Sequence, residues 1–131
     1  MCLLIALLNG GSESSTSSTQ SNEATITTTI TTTEAVPLEY SNALRAAENY
    51  ISFSSFSAKG LKEQLKFEGY SEEACDYGVE NCSADWTAEA IEKAQSYLDL
   101  MAFSKVELIH QLEYEGFTPE QIEVAINAVG Y

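Results

Sequence analysis

One histidine, three cysteines and twenty carboxylates are the groups with which this 131-residue chain could do chemistry. Nucleophilic catalysis needs an activated side chain, and acid–base catalysis needs a matched pair held in a pocket. The sequence outlines neither. It has no nucleophile elbow, no glycine-rich phosphate loop and no second histidine to pair with His110. Cys75 and Cys82 stand seven apart on one expected helix, about 10 Å along its axis, too far for a disulfide. They lack CxxC spacing and so outline no zinc site, and no Asp-rich loop offers calcium ligands. The chain is expected not to be an enzyme and to need no cofactor or metal.

What remains is charge. The formal net charge is −14, and the chain has only six Lys and Arg. Seventeen of the acidic residues and all six basic ones lie from Leu38 onward, which leaves −11 in that part. Such a surface repels nucleic acid and anionic lipid head groups and attracts basic protein. Candidate contact residues are Glu72, Glu73 and Asp76, together with Glu115, Glu120 and Glu123. A monomer that binds a basic protein partner, and no nucleic acid, is expected.

Both acidic groups adjoin a Gly-aromatic pair, Gly69–Tyr70 in one case and Gly116–Phe117 in the other. The coincidence has a cause. Residues 43–82 shifted by 47 fall on 90–129 without a gap, and eleven pairs are identical, among them Tyr50 and Tyr97, Gln64 and Gln111, and Glu68 and Glu115. A gapless repeat of this length is one supersecondary unit used twice.

Each copy reads as three helices. The first, about 41–53, carries Leu44, Ala47, Tyr50 and Ile51 in a stripe of 3.6-residue period. The second starts at Ser57, a good N-cap, with Leu61 and Leu65 one turn apart. Gly69 suits the left-handed position after a helix end, and Tyr70 can fold back on Leu65. Ser71 then caps the third helix, about 72–82, with Cys75, Val79 and Cys82 inward as small apolar residues. The second copy strengthens these signals: Ser104 with Glu107 forms a capping box, Pro119 takes the first helical position, and Ala125 stands for Gly78. The expected fold is all-α, two tandem three-helix repeats each containing a helix-turn-helix. The third helices contain no Lys or Arg, so the motif is not a DNA reader. Gln64 and Gln111 are placed to hydrogen-bond across a helix pair. Most of the periodic aromatics are assigned to the core, and Trp86, in the connection, to packing between copies.

Ahead of the repeats, residues 2–8 form an apolar run ending at Asn9-Gly10-Gly11. It is shorter than the roughly 20 residues that span a bilayer. It fits the tail of a signal or membrane anchor, or a lipoprotein signal with Gly where the lipid-bearing Cys belongs. From Ser12 to Thr33, 15 of 22 residues are Ser or Thr, too polar to offset chain entropy by burial. The expected layout is an anchor remnant at 1–11, a disordered Ser/Thr stalk at 12–37, and repeats at 38–84 and 85–131. The order suggests a domain held out from the extracytoplasmic face of a membrane, tethered through the N-terminal segment.

The string Phe-Ser-x-x-x-Leu-x-x-Gln-Leu-x-(Phe/Tyr)-Glu-Gly-(Phe/Tyr)-(Ser/Thr) occurs at 56–71 and again at 103–118. With Ala-x-x-Tyr-(Ile/Leu) before it and Asn81-Cys82-Ser83-Ala84-Asp85-Trp86 between copies, the chain resembles the Ltp-type host cell surface-exposed lipoproteins over about 42–131. That resemblance implies tandem helix-turn-helix repeats displayed on the cell surface and, for phage members, superinfection exclusion. There an acidic domain engages the tape-measure protein of the incoming phage and blocks DNA injection. The rival reading is a cell-envelope adaptor with no phage role. The departure from the family pattern lies at the N-terminus, where no lipobox is present.

Overall fold

The computed structural model describes residues 35–131, of which Val36–Tyr131 form one unit. The anchor remnant and nearly all of the stalk, up to residue 34, lie outside the described residues. Six helices follow one another: α1 (Leu38–Phe53), α2 (Ala58–Phe67), α3 (Glu72–Asn81), α4 (Trp86–Leu100), α5 (Lys105–Glu115) and α6 (Pro119–Ala128). Among the described residues there is no strand, and no helix is long and apolar enough to cross a membrane. The fold is all-α, with three helices in each copy.

Local chemistry sets most boundaries. α1 begins three residues before the expected start, because the Pro37 carbonyl accepts from the amides of both Tyr40 and Ser41. Ser57 and Ser71 cap α2 and α3 by accepting from Gly60 N and Ala74 N. Ser104 with Glu107, and Thr118 with Gln121, form reciprocal capping boxes, and Pro119 opens α6. Trp86 is not a connection residue. Asp85, which accepts from the amides of Thr87 and Ala88, caps a helix that Trp86 itself begins.

Each copy closes its own core. In the first, Ala47, Leu61, Leu65, Cys75 and Cys82 are buried, with Tyr50, Phe56, Val79 and Trp86 packed against them. In the second, Ala90, Ala94, Leu108, Leu112, Phe117 and the helix α6 residues Ile122, Ala125 and Ile126 do the same. Trp86 therefore joins the copies: it starts the second repeat yet packs on the core of the first. The first and third helices of each copy pack through small residues. Ala43 is fully buried in α1, and a Cβ added at Gly78 in α3 would lie 2.9 Å from its carbonyl oxygen. Gly78 is thus a condition for close helix approach rather than merely a weak helix former. The corresponding Ala125 is fully buried in the second core.

Candidate partner-binding surface

The turn between the second and third helices is built twice in the same way. Gly69 has φ 101° and Gly116 φ 97°, left-handed conformations that a residue without Cβ adopts at least cost. Tyr70 N donates to Leu65 O at 3.3 Å and Gly69 N to Lys66 O at 3.0 Å, while Phe117 N donates to Leu112 O at 3.2 Å and Gly116 N to Glu113 O at 3.0 Å. Both ends are Schellman motifs. A third, at Gly130 and Tyr131, ends α6. Its counterpart in the first copy is Ser83, which holds φ 61° without being glycine.

The aromatic residue of the turn is not a surface feature in either copy. Phe117 is buried and Tyr70 half-buried. The exposed aromatic is three positions earlier: Phe67 and Tyr114, equivalent under the repeat, are each 86 % exposed. Helical periodicity assigns most of the aromatics to the core, and these two are among the exceptions. Phe53 and Leu100, another equivalent pair, are also exposed.

The six candidate carboxylates separate into three situations. Glu73, Glu120 and Glu123 are exposed. Glu72 and Asp76 are engaged within the molecule: Lys62 Nζ lies 2.7 Å from Glu72 and 2.6 Å from Asp76, and Lys66 Nζ lies 2.8 Å from Glu72. Hydrogen bonds from these lysines hold the Glu72 carboxyl down at about 2, and the two carboxylates in turn raise Lys62. Glu115 turns inward. It accepts from the Tyr97 hydroxyl, its other oxygen lies 4.0 Å from Lys93, and its backbone carbonyl accepts from Ser57 Oγ at 2.5 Å. Sequence grouped it with a solvated acidic face; the structure makes it part of the contact between repeats.

That contact is polar and centres on the start of α2. Ser57 is buried and fully satisfied, donating to Glu115 O and accepting from Gly60 N. Phe56 N donates to Glu89 Oε2 at 2.9 Å, and Lys93 Nζ stands 5.8 Å from the centre of the Phe56 ring, within cation–π reach. Gly60 and Gly116 allow the approach: a Cβ at Gly60 would be 3.3 Å from Glu115 O, and one at Gly116 3.0 Å from both Lys59 Cβ and Ser57 Oγ. Gln64 Nε2 donates to Tyr50 OH at 3.2 Å and Gln111 Nε2 to Tyr97 OH at 3.0 Å. The recurring glutamines therefore tie the second helix to the first in each copy.

The outer faces of the two helix pairs differ. Between α5 and α6 lies an open groove of about 330 Å³, with Ile109, Ile122 and Ile126 below and Lys105, Glu113 and Glu123 at its edges. Under the 47-residue offset, Ile109, Glu113, Pro119 and Glu123 correspond to Lys62, Lys66, Glu72 and Asp76. The four residues of the first copy's ion-pair cluster thus occupy the positions that border the groove in the second. Among the described residues no group of three His, Cys, Asp or Glu side chains could hold a metal ion.

The family model for host cell surface-exposed lipoproteins, Ltp, matches residues 38–82 and again 85–129. The chain belongs to this family. Both Ltp repeats fall within the six helices described above, and the family description makes the protein a cell-surface one. Among solved structures, Ltp, a superinfection exclusion protein from the Streptococcus thermophilus temperate phage TP-J34, is similar at 37% sequence identity and a TM-score of 0.66. The match covers 71% of this chain and 97% of that one. No curated protein matches the chain.

Proposed function

We propose that this Ltp-family protein excludes superinfecting phage from the cell surface by capturing a basic protein segment, of the tape-measure type, before DNA is injected. The observation that carries the reading is the likeness over both repeats to a superinfection exclusion protein at 37% identity. The charge supports the mechanism. A domain of −11 with few basic residues steers positively charged partners to itself and speeds encounter. The exposed carboxylates Glu73, Glu120 and Glu123 are available for contact, whereas Glu72 and Asp76 already hold lysines.

The test is a plaque assay on a sensitive Gram-positive host expressing the full-length gene, with adsorption and entry of phage DNA measured separately. Phage should adsorb normally, and both DNA entry and plaque number should fall at least tenfold. Equal plaque numbers and unchanged DNA entry across a panel of temperate phages would overturn the reading and leave an adaptor role in the cell envelope.

A further inference from the structure

We infer that the groove between α5 and α6 is the docking site, and that its occupant is a basic segment carrying apolar side chains into the groove and Lys or Arg residues over its acidic rim. The inference rests on the capture reading above and assigns that capture to one of two otherwise equivalent faces.

Three observations point to the second repeat. Its groove is open and floored by Ile109, Ile122 and Ile126, whereas in the first repeat Lys62 takes the place of Ile109 and is tied to Glu72 and Asp76 at 2.7 and 2.6 Å. A partner docking on the first face would have to break these ion pairs; on the second it meets isoleucine. The second repeat is also the more acidic. Eight acidic and four basic residues lie in 38–84, against nine and two in 85–131, so the copies carry −4 and −7. Of the two lysines in the second copy, Lys93 faces Phe56 and Glu115 in the contact between repeats, which leaves Lys105 alone at the groove. Glu113 and Glu123 edge the apolar floor. A rim of this sign beside apolar surface fits an amphipathic segment with basic flanks, the mode in which an apolar stripe seats in a groove and charge fixes its register. At about 330 Å³ the space is at the lower end of the range for ligand pockets, roughly 300–1,000 Å³, the scale of a few side chains.

The closing experiment builds the first copy's ion pair into the second. The double variant Ile109→Lys/Pro119→Glu copies Lys62 and Glu72, covers the groove and leaves net charge unchanged. Binding to the full chain is measured by fluorescence anisotropy with two synthetic peptides. One is helical, with Leu at i, i+3, i+4 and i+7 and Lys elsewhere; the other has Ser for each Leu at equal charge. Wild type should bind the Leu/Lys peptide at least tenfold tighter than the Ser/Lys peptide, and the double variant should lose that margin. Ile109→Gln, a single change at a half-buried position, serves if the double variant melts early, and should weaken Leu/Lys binding severalfold. If the Leu/Lys peptide binds both variants as tightly as wild type, yet salt abolishes binding, the groove is wrong and capture of a basic segment stands. If neither peptide binds wild type, the capture reading falls and the groove assignment with it. A dimer of the free protein that Ile109→Lys/Pro119→Glu dissociates would assign the groove to a second copy of this chain and overturn the proposal.

Discussion

The Ser57 hydroxyl donates to the Glu115 backbone carbonyl at 2.5 Å, bonding the N-cap of one repeat's second helix to the last residue of the other repeat's second helix. Its counterpart Ser104 is exposed and caps its helix only. Replacing a cap serine with Ala costs about 1 kcal/mol, and loss of a hydrogen bond that leaves a shielded acceptor adds about 1–3 kcal/mol. Ser57→Ala should therefore destabilise more than Ser104→Ala by about 1 kcal/mol or more, as measured by urea denaturation of the two variants. Equal costs would remove this bond from the account of how the repeats are joined.

The two turn glycines should differ for the same reason. Both have positive φ, so Ala at either costs about 1 kcal/mol in backbone conformation. A Cβ at Gly69 meets nothing within 4 Å, while one at Gly116 lies 3.0 Å from Lys59 Cβ and Ser57 Oγ. Crowding of that kind typically costs a further 1–3 kcal/mol. Gly116→Ala should lower the melting temperature clearly more than Gly69→Ala.

A glycine in mid-helix ordinarily gains about 1 kcal/mol when changed to Ala. Gly78→Ala should do the opposite. Its Cβ would lie 2.9 Å from a backbone oxygen of α1, an atom that cannot swing aside. A net loss of roughly 1–2 kcal/mol is expected once overpacking is set against propensity, together with lower amide protection in α1 and α3. A stabilised Gly78→Ala variant would show that the two helices separate at little cost.

Ser83 offers the reverse case. It holds φ 61° where the second copy has Gly130 at 103°, and a left-handed non-glycine residue costs about 1–2 kcal/mol. Ser83→Gly should raise stability by about 0.5–1 kcal/mol, read from the denaturation midpoint at unchanged m-value.

Acid should act on the ion-pair cluster in a defined window. The Glu72 carboxyl is lowered from 4.5 to about 2 by hydrogen bonds from Lys62 and Lys66. A carboxylate lowered on folding contributes stability that is complete above its unfolded pKa and is lost as pH falls through the folded one. The melting-temperature gap between wild type and Glu72→Gln should therefore be constant above about pH 5 and close progressively toward pH 2. A gap independent of pH across that range would show that the lysines do not hold Glu72 in solution.

Features fixed by near neighbours were legible in the sequence. The reciprocal caps at Ser104 and Thr118, the Schellman turns at Gly69 and Gly116 and the hydrogen bonding of Gln64 and Gln111 across a helix pair all follow from signals a few residues long or repeated at fixed offset; that the partner is the first helix came from the structure. Features that depend on which faces meet were not. Glu115 looks like any surface glutamate until Tyr97, 18 residues away, and Ser57, 58 away, are brought to it. Gly78 reads as a weak helix residue because nothing local announces the backbone that approaches it. The α5–α6 groove needs two facts together: that 109 and 119 face each other across a turn, and that their counterparts are Lys62 and Glu72. The second was visible in the repeat offset, the first only in three dimensions.

The separation of the two cores bears on how such a protein matures outside the membrane. All contributors to the first lie between Leu44 and Trp86, and all those of the second between Ala90 and Val129. Neither core waits for residues from the other stretch. Chains dominated by local contacts of this kind fold quickly, and domains that form as units can do so in order of emergence. A chain delivered N-terminus first to the outer face can close its first repeat while the second is still in transit. Trp86, at the head of α4, is the last side chain that first core requires and belongs to the first helix of the next. The first core is thus completed by the residue that opens the second copy's first helix.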